Sequence, residues 1–178
     1  MRKIATLALF AALTMISVMP GFASPNNTDE MKTVQKIRKE LVTLPFFTVF
    51  DNFAYSYHDG VVTLQGQVTR PTLKSDAECV VARVAGVEQV INNIEVLPLS
   101  SFDDRIRLAT YRAVYRQPGL DRLALQANPP IRIIVKHGNV TLEGIAPTEG
   151  DKIRAFIAAN GVANVFSVTN NLRVEKAN

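Results

Sequence analysis

Three arginines on one helical stripe carry the most chemistry in this sequence. At about 100° per residue, Arg105, Arg112 and Arg116 share one side of a helix, with Leu108, Tyr111 and Tyr115 beside them. Guanidiniums next to amphipathic rings suit a helix at a membrane interface, where charges meet anionic headgroups and rings sit at the boundary. The same spacing fits the commoner arrangement, in which Leu108, Tyr111 and Tyr115 face a core and the arginines are a solvated face. Ile106, Ala109 and Ala113 point elsewhere and suit packing on a sheet.

Other reactive types are sparse. His58 and His137 are the only histidines, and neither has the i, i+4 partner or Cys/His cluster that metal binding requires. Cys79 is the only cysteine, so no intrachain disulfide can form. It falls opposite Ile157 in the duplication described next and reads as a small buried hydrophobe, not a reactive thiol. Spacing assembles no nucleophile, base and orienting group, so neither enzymatic activity nor a cofactor is expected. No glycine run leads into a helix with Lys-Ser/Thr, which removes a phosphate loop.

The elements that position these residues are stated twice. Gly60-Val61-Val62-Thr63-Leu64-Gln65-Gly66 returns 78 residues later as Gly138-Asn139-Val140-Thr141-Leu142-Glu143-Gly144. The same shift carries Lys74, Ala77, Val84, Val87 and Val90 onto Lys152, Ala155, Val162, Val165 and Val168. It then pairs Asn92, Asn93 and Val96 with Asn170, Asn171 and Val174, without a gap. A period this long marks two domains, not a solenoid.

Each copy reads α-β-β-α-β. In the first, Met31, Val34, Ile37, Leu41 and Leu44 form the apolar face of a helix ended by Pro45. Phe53, Tyr55 and Tyr57 alternate along a strand, Asp59-Gly60 turns the chain, and Val62, Leu64 and Val68 return it. A helix from about Leu73 to Ala85 is closed by Gly86, and Val87 to Leu97 forms the last strand. In the second copy a helix opens at Asp103-Asp104 and runs to about Gln117, and Leu120 to Pro130 is irregular. Ile131, Ile133 and Val135 then begin the hairpin, with the second helix over Lys152–Val162 and the last strand over Val165–Val174. The expected fold class is α+β: two tandem repeats, each a three-stranded mixed sheet covered on one face by two helices. Gly66 and Gly144 are expected at a bulge or strand end, and the paired asparagines to bond local backbone at a bulge or strand entry.

Residues 1–23 read as a cleavable signal peptide. Arg2 and Lys3 precede an apolar run from Ile4 to Val18, and Gly21-Phe22-Ala23 supplies small residues at the cleavage site. The run falls short of the roughly 20 residues of a spanning helix. No cysteine follows it, so a lipoprotein is not expected, and the domains are placed at 29–98 and 99–176.

The repeat pattern resembles the BON domain, named for bacterial osmotic-shock and nodulation proteins. The doubled Gly-(Val/Asn)-Val-Thr-Leu-x-Gly carries the resemblance. So do Gly86-Val87-Glu88-Gln89-Val90-Ile91-Asn92-Asn93-Ile94 and its partner Val165-Phe166-Ser167-Val168-Thr169-Asn170-Asn171-Leu172. Asn164 replaces Gly86 in copy two, so a different helix end is open there. The resemblance implies an exported, non-enzymatic envelope protein, located in the periplasm, that binds anionic phospholipid surfaces or acts as a chaperone under envelope or osmotic stress. In two-domain relatives it implies lipid contact through the first helix of the second domain.

Charge agrees with that placement. Residues 24–100 hold 7 Lys and Arg against 9 Asp and Glu, net −2, whereas residues 101–178 hold 11 against 7, net +4. The basic copy is the better match for an anionic surface, and a mature charge this small argues against a nucleic-acid partner. The expected lipid site is therefore Arg105, Leu108, Tyr111, Arg112, Tyr115 and Arg116. The other reading is a soluble protein-interaction or chaperone-like module contacting envelope proteins, with Phe46, Phe47 and Phe50 as its exposed apolar patch.

Overall fold

The computed structural model describes residues 27–175; the signal-peptide reading lies outside them. In the first domain, α1 (Asn27–Val42) leads to the hairpin β1 (Asn52–His58) and β2 (Val61–Val68), then α2 (Pro71–Val81), β3 (Gln89–Asn92) and β4 (Glu95–Val96). The second domain repeats the order with α3 (Ser101–Tyr115), a 3₁₀ turn (Asp121–Leu125), β5 (Ile131–Lys136), β6 (Asn139–Ala146), α4 (Glu149–Asn160), β7 (Ser167–Asn170) and β8 (Arg173–Val174).

The sheets match strand for strand. β1 and β2 pair antiparallel, and β3 and β4 both lie parallel to β2. β5 and β6 pair antiparallel, and β7 and β8 lie parallel to β6. Both hairpins turn on two residues of positive φ, Asp59-Gly60 and His137-Gly138. That is the requirement of a tight type I′ connection, whose twist matches the strands.

The third strand of each copy is interrupted, and the paired asparagines interrupt it. Asn92 accepts from the Ile94 amide at 3.2 Å and donates to the Lys74 carbonyl at 2.9 Å. Asn170 accepts from Leu172 at 3.2 Å and donates to Lys152 at 3.3 Å. Each amide fastens its strand to the first turn of the preceding helix, with the local backbone bonding expected of asparagine.

Three expectations need correction. Gly66 and Gly144 lie two residues before the ends of β2 and β6; pairing with β1 runs through Gly66 without a skipped residue and pairing with β5 ends in register at Gly144, so neither marks a bulge. α2 stops at Val81, short of Ala85, because turn hydrogen bonds to Val80, Val81 and Val84 replace helical ones. Gly86 serves the turn into β3 instead, at φ +91°; Asn164 takes the same left-handed conformation at φ +69°, so the helix ends of the two copies agree. Cys79 is exposed, not buried, and so is Ile157.

Each domain has its own core. Ile37, Leu41, Val62, Leu64, Leu73 and Val81 centre the first, and Ile106, Val114, Leu120, Ile133, Leu142 and Ala155 the second. The link between α1 and β1 joins them. Val49 and Phe50 leave their own domain to pack against the second core. The Ile133 amide on the free edge of β5 donates to the Val49 carbonyl at 2.9 Å, so the first domain covers an edge that would otherwise present unpaired backbone.

Candidate functional site

α3 begins at Ser100, whose hydroxyl accepts from the Asp103 amide at 3.1 Å. Asp103 is buried and clamps the second hairpin, accepting from His137 and Gly138 amides at 3.0 and 2.8 Å. The helix is thus fixed at its first turn to the tip of the sheet. Ile106, Thr110 and Val114 face inward, while Phe102, Ala109 and Ala113 are half-buried.

The expected site residues divide. Arg105, Arg112 and Arg116 are exposed, and Leu108, 48% exposed, lies among them. None of the three arginines forms an ion pair among the described residues. Tyr111 is half-buried, its ring edge-on to Phe50 of the first domain at 6.2 Å. Tyr115 is buried and donates its hydroxyl to the Ile131 carbonyl at 2.6 Å. Burial drives its pKa well above the ordinary tyrosine range. Tyr115 is therefore core, and Tyr111 belongs to the domain interface. The outer face of α3 is Arg105, Leu108, Arg112 and Arg116.

The pattern concealed Arg107. It is buried, and one guanidinium nitrogen donates to the Val135 carbonyl at 2.8 Å while another pairs with Asp104. It braces α3 on β5 and is unavailable to a surface. A groove of about 350 Å³ follows the other side of α3, between Phe102, Arg105 and Ala109 and the α4–β7 turn at Val162 and Asn164. A wider cleft of about 870 Å³ separates the domains, with Arg38, Phe47 and Tyr55 on one wall and Arg132, Ile145 and Arg173 on the other.

The phenylalanine patch is not formed as expected. Phe47 stacks on Phe53 at 4.9 Å and lies under the Arg132 guanidinium at 4.5 Å. Phe50 packs into the second domain. Phe46 alone stays mostly exposed, with Arg70 over its ring. His58 and His137 are both exposed, in the two hairpins, and no group of three or more His, Cys, Asp or Glu among the described residues could hold a metal ion. No helix among them is long and apolar enough to cross a membrane.

α4 flanks α3 and is held by a buried carboxylate. Thr148 caps it, accepting from the Asp151 amide at 3.1 Å and donating to the Asp151 carboxylate at 2.7 Å; Arg154 donates to the other oxygen at 2.6 Å. Burial works to raise the Asp151 pKa, but the Thr148 hydroxyl and Arg154 outweigh it and hold the carboxyl below its usual range. With the folded value depressed, the stabilisation is complete above the ordinary carboxylate pKa of about 3.9 and is lost as pH falls through the folded value. Urea midpoints measured from neutral pH to about pH 2 should therefore fall less steeply in Asp151→Asn than in the wild type. Parallel acid limbs would assign the acid sensitivity elsewhere.

Comparison with known proteins agrees with the fold. No curated protein matches the chain. Two solved structures of CdsD, a structural protein of the type III secretion system of Chlamydia trachomatis, are similar at 14% identity. One covers 82% of this chain and 93% of its own at TM-score 0.30, the other, of the C-terminal domain, 81% and 97% at 0.29. Likeness at that level fixes neither fold nor function. The BON domain model matches residues 30–98 and 119–176, one stretch per copy, and leaves α3 outside the second match. On that doubled match the chain belongs to the BON domain family.

Proposed function

We propose that the protein is a periplasmic module whose second domain binds anionic phospholipid surfaces through the outer face of α3, in support of envelope integrity under stress. Membership of the family supports a non-enzymatic, envelope-associated protein. The observation that carries the finer reading is the set Arg105, Arg112 and Arg116, exposed around Leu108 and free of ion pairs among the described residues. The half of the chain that bears them has 11 Lys and Arg against 7 Asp and Glu. Of the three phenylalanines expected to form the patch of the chaperone-like reading, only Phe46 stays exposed.

Flotation with vesicles of phosphatidylglycerol and phosphatidylethanolamine tests it. Each arginine near an anionic surface is worth ~1 kcal/mol, about fivefold in binding, at low salt. Arg105/Arg112/Arg116→Ala should bind at least ten- to about a hundredfold more weakly, and wild-type binding should fall as salt rises. Equal flotation of wild type and triple variant would remove α3 from the site.

A further inference from the structure

α4 forms a second ridge beside α3, and the duplication supplies its reference. The 78-residue shift superposes α2 on α4. Among the inward positions, Ala77 and Val81 in α2 become Ala155 and Ala159 in α4, all buried, and buried Leu73 becomes the buried Asp151. The outward positions change character. Ser75, Asp76, Glu78 and Cys79, all exposed, become Ile153, Arg154, Phe156 and Ile157. Ile153 and Ile157 remain 54% and 63% exposed, and Phe156 is half-buried. Past the helix, exposed Glu88 becomes Phe166, 72% exposed and 6.0 Å from Phe102 in the first turn of α3. Folding gains nothing from apolar side chains in water, and clustered exposed ones mark a contact surface.

We infer that the α4 ridge of Ile153, Phe156 and Ile157 enters the headgroup–acyl boundary of an anionic phospholipid bilayer while the α3 arginines hold the headgroups. The inference rests on the lipid reading above and adds the element that inserts. Charge selects the occupant. α3 and α4 pack together on one face of the sheet, and packed helices lie about 8–10 Å apart, so one flat surface can meet both outer faces. α3 with Arg116 and α4 hold 6 Lys and Arg against 4 Asp and Glu, with Arg105, Arg112, Arg116 and Arg154 exposed, whereas α1 and α2 of the first domain hold 5 against 5. Arginines alone give binding that salt screens away; a buried apolar ridge adds a part that salt does not remove.

The chain has no tryptophan, so Ile157→Trp creates a single reporter at an exposed site. On phosphatidylglycerol–phosphatidylethanolamine vesicles its emission should shift to the blue and be quenched by lipids brominated high on the acyl chain. Cys79→Trp, at the matching place on α2, should do neither. Ile153→Ser/Ile157→Ser should melt like the wild type, bind about tenfold more weakly and lose the salt-resistant part of binding. If the wild type and the serine variant bind alike and the Ile157→Trp reporter stays unquenched, α4 does not insert, and the α3 site stands. If the wild type does not bind vesicles at all, both readings fall. If light scattering finds the wild type dimeric and the serine variant monomeric without lipid, the ridge is an interface between copies and the inference is overturned.

Discussion

Gly66→Ala is expected to lower the thermal midpoint by about 12 °C or more, because ~3 kcal/mol is lost from a domain in which each kcal/mol moves the midpoint by about 4–8 °C. Gly66 sits at φ +122°, in a region that L side chains rarely adopt. A Cβ there would stand 2.0 Å from the Asn52 carbonyl oxygen and 2.9 Å from its carbon. The obstacle is backbone, and β1 cannot retreat without breaking its register with β2 from Asn52 to His58. Gly144 repeats the arrangement in the second domain, at φ +104° with the Pro130 oxygen 2.1 Å away, so Gly144→Ala should cost a similar amount. Gly150 is the control. It lies in the first turn of α4, where a Cβ would meet its nearest atoms at 3.6 Å, and Gly150→Ala should hold or raise the midpoint. A Gly66→Ala protein melting within a few degrees of the wild type would show that the strands can separate locally without cost.

That pair of glycines was visible in the sequence as a repeated punctuation, and its physical reason was not. Repetition made the hairpins, the helices and the asparagine breaks legible, since each copy confirmed the period of the other. It could not show that Gly66 and Gly144 are needed for close backbone approach inside a strand, because periodicity records spacing and not clearance. Helical spacing likewise put Arg105, Arg112 and Arg116 on one stripe but could not set the rotation of α3 about its axis. Tyr115 went inward because its hydroxyl finds the Ile131 carbonyl, and Tyr111 because Phe50 arrives from the other domain. Cys79 was read as buried from the isoleucine opposite it; both are exposed. Side-chain hydropathy alone misleads where a helix keeps apolar residues outside, and that failure marks the α4 ridge.

The least legible feature was the contact between the copies, since it depends on residues that the duplication does not repeat. Thr48, Val49 and Phe50 have no counterparts in the motif, yet they carry the first domain onto β5. The Val49 carbonyl takes the Ile133 amide, the Thr48 carbonyl takes the Arg132 guanidinium at 3.0 Å, and Asn128 donates to the Val42 carbonyl at 3.1 Å. Burial lowers the Arg132 pKa. Lys136 and Glu95 add a half-exposed ion pair between the domains, of the kind that contributes little by itself.

Asp51→Ala should therefore lower stability by about 3 kcal/mol and split unfolding into two calorimetric transitions. Asp51 is fully buried, and its carboxylate holds the connecting segment in place. One oxygen accepts from the Thr48 amide and hydroxyl at 2.9 and 2.7 Å, and the other from the Thr69 amide and hydroxyl at 2.6 and 2.8 Å. Removing it leaves four donors without their acceptor, and a buried donor left unpaired costs about 1–3 kcal/mol unless water reaches it. Asp51→Asn should rescue little, because its amide nitrogen would face two donors in place of an acceptor. The larger consequence is at a distance. With Thr48 released, Val49 no longer has a fixed position against Ile133, and Phe50 loses its place on Tyr111. The second domain then melts on its own, and residues 101–178 expressed alone should melt with that transition. One transition at the wild-type temperature in Asp51→Ala would mean that Thr48–Phe50 docks without the carboxylate. A melt of residues 101–178 matching that of the intact protein would mean that the second domain does not depend on the first.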